Sequence, residues 1–593
     1  MSDFAAPLAD MRFVLHELVG LEAVARLPGY EDATAELVDQ VLDEAGKFAA
    51  RVLAPLDQPG DREGARIENG VVGTPAGFRA AYAGFTAGGW TGLAADPAHG
   101  GQGLPRLVAA AVSEMWQAAN TSFALCPVLT QGAAELLAAH GSDGQKRLFL
   151  GKLVSGAWTG TMCMTEPQAG SDIGALATRA VRQDGRYRLS GTKIFVSYGD
   201  HDLAENIVHM VLARMPDAPP GIHGLSLFAV PKYLVGADGR PGPRNDVRVL
   251  SLEHKLGLHA SPTCTMAFGE SEGAVGELIG GEGRGIDCMF TMMNTARLAV
   301  GLQGVGVAER AYQRARAYAI ERRQGRRLAD GAPARLVDHA DVRRMLLTMK
   351  AQVEAMRALA CRVAAESDIA RRHPEPETRA RSQRRVDLLT PVVKAYCTDT
   401  GFEMASLAVQ VHGGMGYIEE TGAAQHLRDA RIAMIYEGTN GIQALDLARR
   451  KLALDEGRAV AEFAAGLAEL DARLAAAGEA VAPIRARLAE GAGALGEATR
   501  WLGETWPGDP DSAAAGASDY LRMFGLVACG QMMAESALEA AGRVSAGDND
   551  PFWRTKQTTA RFFAERILPQ AAALLGPVTS GAATLGALDD DQF

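Results

Sequence analysis

The stretch MIYEGTNGIQALDL, from Met434 to Leu447, places a single carboxylate between two different kinds of sequence. Apolar Met-Ile-Tyr precedes Glu437, and the small, turn-forming Gly-Thr-Asn-Gly follows it. No Lys or Arg stands between Arg431 and Arg449 to neutralise the charge. A carboxylate in such surroundings is either an ordinary acid at the start of a helix or a base that is kept away from water.

The structural interpretation of this stretch is a helix that starts after the glycines. Acidic residues are favoured near helix N-termini because the helix dipole attracts negative charge there. The segment IQALDLARRKLAL then predicts an amphipathic helix with Ile442, Leu445 and Leu452 on one stripe. The stretch alone does not separate this interpretation from the catalytic one.

The composition indicates a soluble, multidomain protein. The chain has 593 residues, of which 47% are hydrophobic and 22% charged, and its formal net charge is -11. It has no long run of Lys or Arg, so we expect no nucleic-acid surface. The seven cysteines form no CxxC pair, which favours reduced thiols in the cytoplasm. The twelve histidines form no HExxH cluster, so we expect no metal site.

The chain changes texture from helical to β-rich and back to helical. The N-terminus has no signal-peptide pattern, and no apolar run is long enough for us to expect a membrane span. RAVRQDGRYRLSG predicts a hairpin around Asp184 and Gly185. We therefore predict an α+β protein with an N-terminal arm, a helical domain, a β domain, a second helical domain and a helical extension, at residues 1–35, 36–156, 157–280, 281–454 and 455–593.

Three stretches combine residues suited to holding a ligand. WTGTMCMTEPQAGSDIGAL (158–176) follows an apolar run with hydroxyls and turn backbone that can offer hydrogen-bond donors. GTKIFVSYGD (191–200) could cover a flat ring, or could be a plain strand with Phe195 in the core. QVHGGMGYIEETGAAQHLRDARIAMIYEGTNGIQ (410–443) has glycines that permit close backbone approach, but no Rossmann GxGxxG unit.

Five motifs in this order resemble the acyl-CoA dehydrogenase family of flavoproteins. They are TEPQAGSD, KIFVSYG, YAIERRQGR, QVHGGMGY and RDARIAMIYEGTNGIQ. The resemblance covers about residues 36–454 and implies an N-terminal helical domain, a middle β-barrel or sandwich and a C-terminal four-helix bundle. The arm and the extension resemble a long-form bacterial branch that includes the 3-methylmercaptopropionyl-CoA (3-(methylthio)propanoyl-CoA) dehydrogenases of dimethylsulfoniopropionate breakdown.

The resemblance assigns the catalytic base to Glu437. Such a base takes an α-proton from an acyl-CoA thioester, and a carboxylate in a closed apolar pocket loses hydration and gains basicity. Some family branches carry the base in the segment matching MMNTARL, where this chain has Ala296, which cannot act as a base. Substrate contacts are assigned to Ser171, Arg297, Tyr436 and Gly438.

The resemblance also implies FAD as the cofactor. Its contacts are assigned to Met162, Met164, Thr165, Ser171, Phe195, Val196, Ser197, Arg322, Gln410, Gly413, Gly414 and Thr439. Arg322, Gln410, Gly413 and Gly414 match residues that reach the FAD of a neighbouring subunit, which implies a homo-oligomer, a dimer or a tetramer. The usual Arg-x-x-Phe-Gly appears here as RRQGR, without the aromatic residue.

Several functions remain open at this point. The substrate implied is 3-(methylthio)propanoyl-CoA or, alternatively, a medium- or long-chain fatty acyl-CoA of β-oxidation. The electron acceptor implied is an electron-transferring flavoprotein, whereas an oxidase would use oxygen. A DNA-associated flavoprotein or a membrane-docked enzyme would need a basic surface. Residues 455–593 contain 11 Lys and Arg against 20 Asp and Glu, a net charge of −9, which disfavours both. We expect this extension to pack on the same protein.

Overall fold

The computed structural model describes residues 4–183, 185–236 and 238–593. Its helices are α1 (Leu8–Arg12), α2 (Leu21–Ala25), α3 (Ala35–Phe48), α4 (Ala54–Glu63), α5 (Phe78–Ala87), α6 (Arg106–Ala119), α7 (Thr121–His140), α8 (Asp143–Gln145), α9 (Gly151–Ser155), α10 (Gly285–Glu321), α11 (Ala340–Arg372), α12 (Pro376–His412), α13 (Ala423–Ala430), α14 (Asn440–Leu445), α15 (Arg458–Ala476), α16 (Ala482–Thr505), α17 (Pro510–Ala515), α18 (Ala517–Ser545), α19 (Pro551–Arg566), α20 (Pro569–Ala573) and α21 (Leu575–Thr579).

Strands are concentrated between the two helical parts, as the sequence texture predicts. They are β1 (Arg66–Glu68), β2 (Val71–Gly73), β3 (Trp158–Cys163), β4 (Arg179–Gln183), β5 (Arg186–Ser197), β6 (Asn206–Arg214), β7 (Leu225–Pro231), β8 (Tyr233–Val235), β9 (Pro241–Arg244), β10 (Val247–Leu252), β11 (Thr263–Phe268), β12 (Ala274–Ile279), β13 (Arg323–Arg326) and β14 (Pro333–Arg335).

The chain forms two compact units, which are described separately. Unit 1 contains Lys47–Leu104 and Ala119–Ala299. Unit 2 contains the N-terminal residues through Gly46, together with Pro105–Ala118 and Val300–Phe593.

Unit 1 is built on one large sheet. Its strands run in the order β10-β11-β5-β12-β7-β6-β3, and β4 pairs with β5 and β6. The β3–β6 pair is parallel, whereas β6–β7 and β11–β5 are antiparallel. Along β6, Val208, Met210 and Leu212 face one apolar cluster, and Val211 and Ala213 face the other. This alternation follows from the two-residue period of a strand and explains why β6 is apolar throughout.

The hairpin predicted for unit 1 is present. Strands β4 and β5 pair antiparallel from Arg179↔Ser190 to Gln183↔Arg186. Gly185 has a left-handed φ of 75°, as a tight turn requires. Asp184, the other residue of the predicted turn, lies outside the described residues.

Helix α7 corrects the expectation about apolar runs. By length and composition alone, Thr121–His140 could cross a membrane. Most of it is buried inside unit 1, where Leu129, Ala133 and Leu137 join the core cluster. Asn120 caps its start by accepting a hydrogen bond from Phe123 N (3.0 Å). A helix that is apolar on all sides is therefore a core element of this unit.

Unit 2 is helical, and α11 and α12 are its longest neighbouring pair. Helix α12 runs upstream of the apolar segment from Pro391, beginning at Pro376, where proline suits the first helical turn. The stripe predicted after Glu437 is wrong, because Ile442 and Leu445 are each 39% exposed. Helix α14 ends at Leu445 and continues as a π-helical turn, Asp446–Lys451, so the face that is buried belongs instead to Gln443, Ala444, Leu447 and Ala448.

The C-terminal extension packs within unit 2, as predicted. Helix α18 packs on α11, α12 and α14, and α19 packs on α11. Arg357 pairs with Asp10, Glu114 and Glu309, and Lys556 pairs with Asp10 and Glu354. This buried network joins the N-terminal arm and the extension to the same helix. The predicted helix RFFAERILPQAAALL is interrupted, because α19 ends at Arg566 and α20 begins at Pro569.

Candidate functional site

A buried carboxylate organises the loop that follows β3. Glu166 accepts hydrogen bonds from Thr178 Oγ1 (2.5 Å), Thr178 N (3.0 Å) and Ala177 N (2.7 Å). It also pairs with Lys193 Nζ at 2.7 Å, and both side chains are buried. Burial by itself would raise the pKa of Glu166, but Lys193 and these hydrogen bonds lower it to about 2. The loop is therefore held by a charged, hydrogen-bonded anchor.

The same lysine joins two stretches that the sequence placed apart. Lys193 Nζ donates to Met164 O (3.0 Å), and Ile194 N donates to Thr165 O (2.9 Å). Ile194 is free to do so because a β-bulge interrupts the β5–β11 ladder at this point. The structure thus brings Met164 and Thr165 against residues 193–196.

The bulge turns Phe195 outward. Ile194 and Phe195 together face the single residue Thr265, because the register shifts between Lys193↔Met266 and Val196↔Cys264. Phe195 has a left-handed φ of 58° and is 60% exposed. A bulky residue in that conformation is unusual, and such strain concentrates at functional sites. The alternative of a plain strand with Phe195 in the core is wrong.

The remaining site residues of unit 1 differ in exposure. Met162 and Met164 are partly buried against the helix-side core cluster, and Val196 is buried in the other one. Ser197 is half-buried and faces Thr263 across the ladder, whereas Ser171 is exposed. Arg297, on α10, is buried.

Glu437 lies in a loop of unit 2, outside any helix. Helix α14 begins at Asn440, and its N-cap is Thr439, whose Oγ1 accepts from Ile442 N (3.2 Å). Glu437 precedes that cap by two residues and has a left-handed φ of 58°. The simple interpretation as a first-turn helix acid is therefore wrong.

Helix α12 holds this loop through residues that the sequence analysis missed. The fully buried Lys394 donates from Nζ to Gly438 O (2.8 Å) and Asn440 Oδ1 (2.7 Å). Gln443 Nε2 donates to Glu437 O (3.3 Å). A cation from a distant part of the chain thus lies beside a loop whose own sequence has none. A lone Lys in the apolar run PVVKAYC was the available signal.

Tyr436 is anchored on the other side of Glu437. Its hydroxyl donates to Gln303 Oε1, from α10. Burial raises the pKa of Tyr436 well above its usual range, so the phenol stays protonated and remains a donor. The residues before and after Glu437 are therefore both fixed within unit 2.

The four residues assigned to a neighbouring subunit's cofactor lie elsewhere in unit 2. Arg322, Gln410, Gly413 and Gly414 are exposed, at or just beyond the C-terminal ends of α10 and α12. Tyr318 stacks on His412 with ring centroids 4.5 Å apart, which joins those two helix ends. The uninterrupted helix from Lys394 to His412 separates this group from the Glu437 loop by about 27 Å.

Family models cover nearly the whole chain. They are the acyl-CoA dehydrogenase N-terminal domain (residues 36–157), middle domain (161–270) and C-terminal domain (283–452), and the acetyl-CoA dehydrogenase C-terminal-like domain (458–589). They confirm the expected fold class, including the extra helical region.

The chain is also similar to individual proteins over nearly its full length. It is 46% identical to the 3-methylmercaptopropionyl-CoA dehydrogenase of Ruegeria pomeroyi, over 96% of this chain and 97% of that protein. It is 34% identical to a butyryl-CoA dehydrogenase of Syntrophomonas wolfei, over 95% and 94%. The fold matches a crystal structure of acyl-CoA dehydrogenase complexed with FAD from Bacillus anthracis, with a TM-score of 0.75, 19% identity and coverage of 96% and 91%. The chain therefore belongs to the acyl-CoA dehydrogenase family and is an FAD-dependent oxidoreductase that acts on the CH–CH bond of an acyl-CoA thioester.

Proposed function

We propose that Glu437 is the catalytic base of this dehydrogenase and that the substrate is 3-(methylthio)propanoyl-CoA, which would be converted to 3-(methylthio)acryloyl-CoA. The observation that carries the first part is the Glu437 loop, with its left-handed backbone and its anchors on α10 and α12. The 46% identity to a 3-methylmercaptopropionyl-CoA dehydrogenase supports the second part.

The residues of unit 1 suit a flavin ring. The exposed Phe195 ring offers a flat apolar surface, and the half-buried Thr165 and Ser197 supply hydroxyls nearby. Gly170, in the same loop, has open space around its α-carbon, so backbone there can approach a ligand closely. Bound FAD supplies the acceptor for the β-hydrogen, which leaves the substrate as a hydride.

Glu437 would perform the proton half of the reaction. Its carboxylate removes the α-proton, and the electrons of that C–H bond become the new Cα–Cβ double bond as the β-hydrogen leaves with its own pair. The proton stays on Glu437, and the product is a trans-2-enoyl-CoA. A backbone N–H of this loop, directed at the thioester carbonyl, would stabilise the negative charge that develops on its oxygen. We assign that role to the N–H of Glu437, with Gly438 beside it, while Tyr436 lines the acyl chain and Thr439 contacts FAD.

Contacts beyond the reacting atoms are proposed for other residues. Ser171 would meet the CoA arm and the FAD pyrophosphate, and Arg297 would organise charge around the acyl group. Met162, Met164 and Val196 would flank the ring of the flavin.

The Glu437→Gln variant tests the base. The amide is nearly isosteric but cannot accept the proton, so turnover should fall at least ~10²–10⁴-fold. The flavin content, measured by absorbance, should be unchanged. A variant that keeps half of the wild-type turnover would remove Glu437 from the mechanism.

The substrate is tested with a panel of acyl-CoA thioesters and a dye acceptor. We expect the highest kcat/KM for 3-(methylthio)propanoyl-CoA. The second candidate is a medium- or long-chain fatty acyl-CoA, and the similarity to a butyryl-CoA dehydrogenase keeps a plain acyl chain in consideration. Because sulfur and methylene differ little in size, pentanoyl-CoA is the matched control. A higher kcat/KM for pentanoyl-CoA or for longer chains would contradict the sulfur-containing substrate.

The assembly we propose is a cytoplasmic homodimer or homotetramer that passes electrons to an electron-transferring flavoprotein. The separation of about 27 Å between the Glu437 loop and the helix ends supports the idea that Arg322 and Gln410–Gly414 serve a neighbour's cofactor. Exposed apolar side chains beside those glycines, including Tyr417 at 86%, support a subunit contact. A flavin-loaded monomer in sedimentation, or oxygen replacing the flavoprotein in turnover, would contradict this.

A further inference from the structure

We propose that Lys394 is a positioning residue for the reaction, because it sets the backbone conformation in which Glu437 presents its carboxylate. The inference rests on the proposed role of Glu437. Lys394 is on α12, is fully buried, and contacts the loop at the residue directly after Glu437.

The loop needs such support because two consecutive residues have left-handed backbones. Glu437 has φ 58° and Gly438 has φ 80°. Glycine adopts this conformation freely, but for a glutamate it costs on the order of 1–3 kcal/mol and persists only when the surroundings hold it. Replacing Glu437 by a residue with a freer backbone is excluded by its chemistry, so the strain must be balanced by contacts.

Those contacts fix both peptide planes that follow Glu437. The carbonyl of Glu437 accepts from Gln443 Nε2 (3.3 Å). The carbonyl of Gly438 accepts from Lys394 Nζ (2.8 Å). With both carbonyl directions fixed, the rotation of the chain on the C-terminal side of Glu437 is set, and the carboxylate starts from a defined point.

Asn440 completes the clamp. Its Oδ1 accepts from Lys394 Nζ (2.7 Å), and its Nδ2 donates to Thr398 Oγ1 (3.0 Å) and Asp399 Oδ1 (2.7 Å). Lys394, Thr398 and Asp399 lie within little more than one turn of α12. The loop is thus fastened to one rigid patch of a long helix, which is how a functional group is held within the small tolerance that catalysis demands.

A lysine makes a stronger anchor here than a neutral donor. Burying an ammonium group carries a large desolvation cost, which is recovered only while its hydrogen bonds are made. Displacing the loop would leave the charge without Gly438 O and Asn440 Oδ1. The anchor therefore resists small displacements of Glu437 more than an uncharged side chain would.

The test is Lys394→Met, which keeps an unbranched side chain of similar length and removes the ammonium. Turnover is normalised to bound flavin, so that loss of cofactor does not count as loss of rate. We expect kcat to fall about 10- to 100-fold, the cost of a misplacement of roughly 1 Å, while KM changes less than about twofold. The matched control is Lys556→Met, which removes another buried lysine of unit 2 from its partners Asp10 and Glu354. It should lower the melting temperature but leave kcat per flavin within about twofold.

The outcomes separate this inference from the proposed function. If Glu437→Gln retains turnover, the proposed function fails. If Glu437→Gln is inactive and Lys394→Met keeps its kcat per flavin, only the role of Lys394 is overturned. If Lys394→Met does not fold, Asn440→Ala replaces it, because it removes the amide that Lys394 holds. A fall in kcat without a change in KM then supports the clamp, and an unchanged kcat overturns it.

Discussion

Two loops of this protein use the same device in different surroundings. In unit 1, the buried Lys193 donates to Met164 O beside Phe195, whose φ is 58°. In unit 2, the buried Lys394 donates to Gly438 O beside Glu437, whose φ is also 58°. Each buried ammonium thus holds a backbone carbonyl next to a strained residue that we assign to the site.

The difference lies in the second partner of each lysine. Lys193 contacts the carboxylate of Glu166 directly, at 2.7 Å. Lys394 contacts the amide of Asn440, and that amide in turn donates to the carboxylate of Asp399. A direct ion pair suits a loop whose task is to stay rigid, whereas an amide between the charges keeps a carboxylate one step away from the loop of the base. The comparison teaches that the charge next to a strained residue is arranged according to what that residue does.

The largest effect is expected from breaking the direct pair. Lys193→Met would leave the buried Glu166 without its cation, and removing one partner of a buried pair costs about 3–5 kcal/mol. We expect the free energy of unfolding of the variant, measured in urea, to fall by that amount, together with loss of bound flavin. The double variant Lys193→Met with Glu166→Leu should recover part of the loss. A single variant as stable as the wild type would contradict the anchor.

The second test concerns the support behind the other lysine. Helix α18 of the extension packs on α12, and a Cβ added at Gly525 would lie 2.3 Å from the ring of Tyr396, two residues from Lys394. Gly525→Ala should therefore destabilise unit 2 by about 1–3 kcal/mol, because the helices must move apart. Gly493→Ala is the matched control, since nothing lies within 4 Å of its added Cβ in helix α16. It should stabilise by about 0.5–1 kcal/mol. Equal melting temperatures for both variants would sink this reading of the extension.

The smallest expected effect is on the pH dependence of stability. The pKa of Glu166 is lowered to about 2 in the fold, so its contribution is complete above the ordinary glutamate range and is lost as pH falls towards 2. Burial raises the pKa of Glu114 to about 7, although Arg357 opposes that change, because the arginine is shared with Asp10 and Glu309. Glu114 therefore has the opposite sign, and its contribution weakens as pH rises from about 4.5 to 7.

Two variants separate these contributions in urea unfolding at several pH values. Glu166→Gln should flatten the acid side of the stability curve, and Glu114→Gln should flatten the slope between about pH 5 and 7. Identical curves for the two variants would show that the surroundings of these carboxylates do not differ as described.

The amino-acid sequence by itself determined the coarse organisation. The order helical, β-rich, helical follows from local periodicity, and the hairpin between β4 and β5 follows from its turn residues. Five ordered motifs identified the family, and their spacing placed Glu437 and the flavin-contacting stretches without any structure. These features depend on neighbouring residues in the chain, which is why they can be predicted.

Only the tertiary structure decided which groups meet. Glu166 and Lys193 are 27 residues apart, and Lys394 and Gly438 are 44 apart, so no local pattern reports either contact. The exposure of Phe195 depends on a bulge against β11, and the exposure of Ile442 and Leu445 depends on a π-helical turn that rotates the buried face. Periodicity shows which residues are apolar, but burial is decided by what packs against them. The physical reason is that long-range packing, rather than the propensity of a segment, determines where a charge or an aromatic ring is stable.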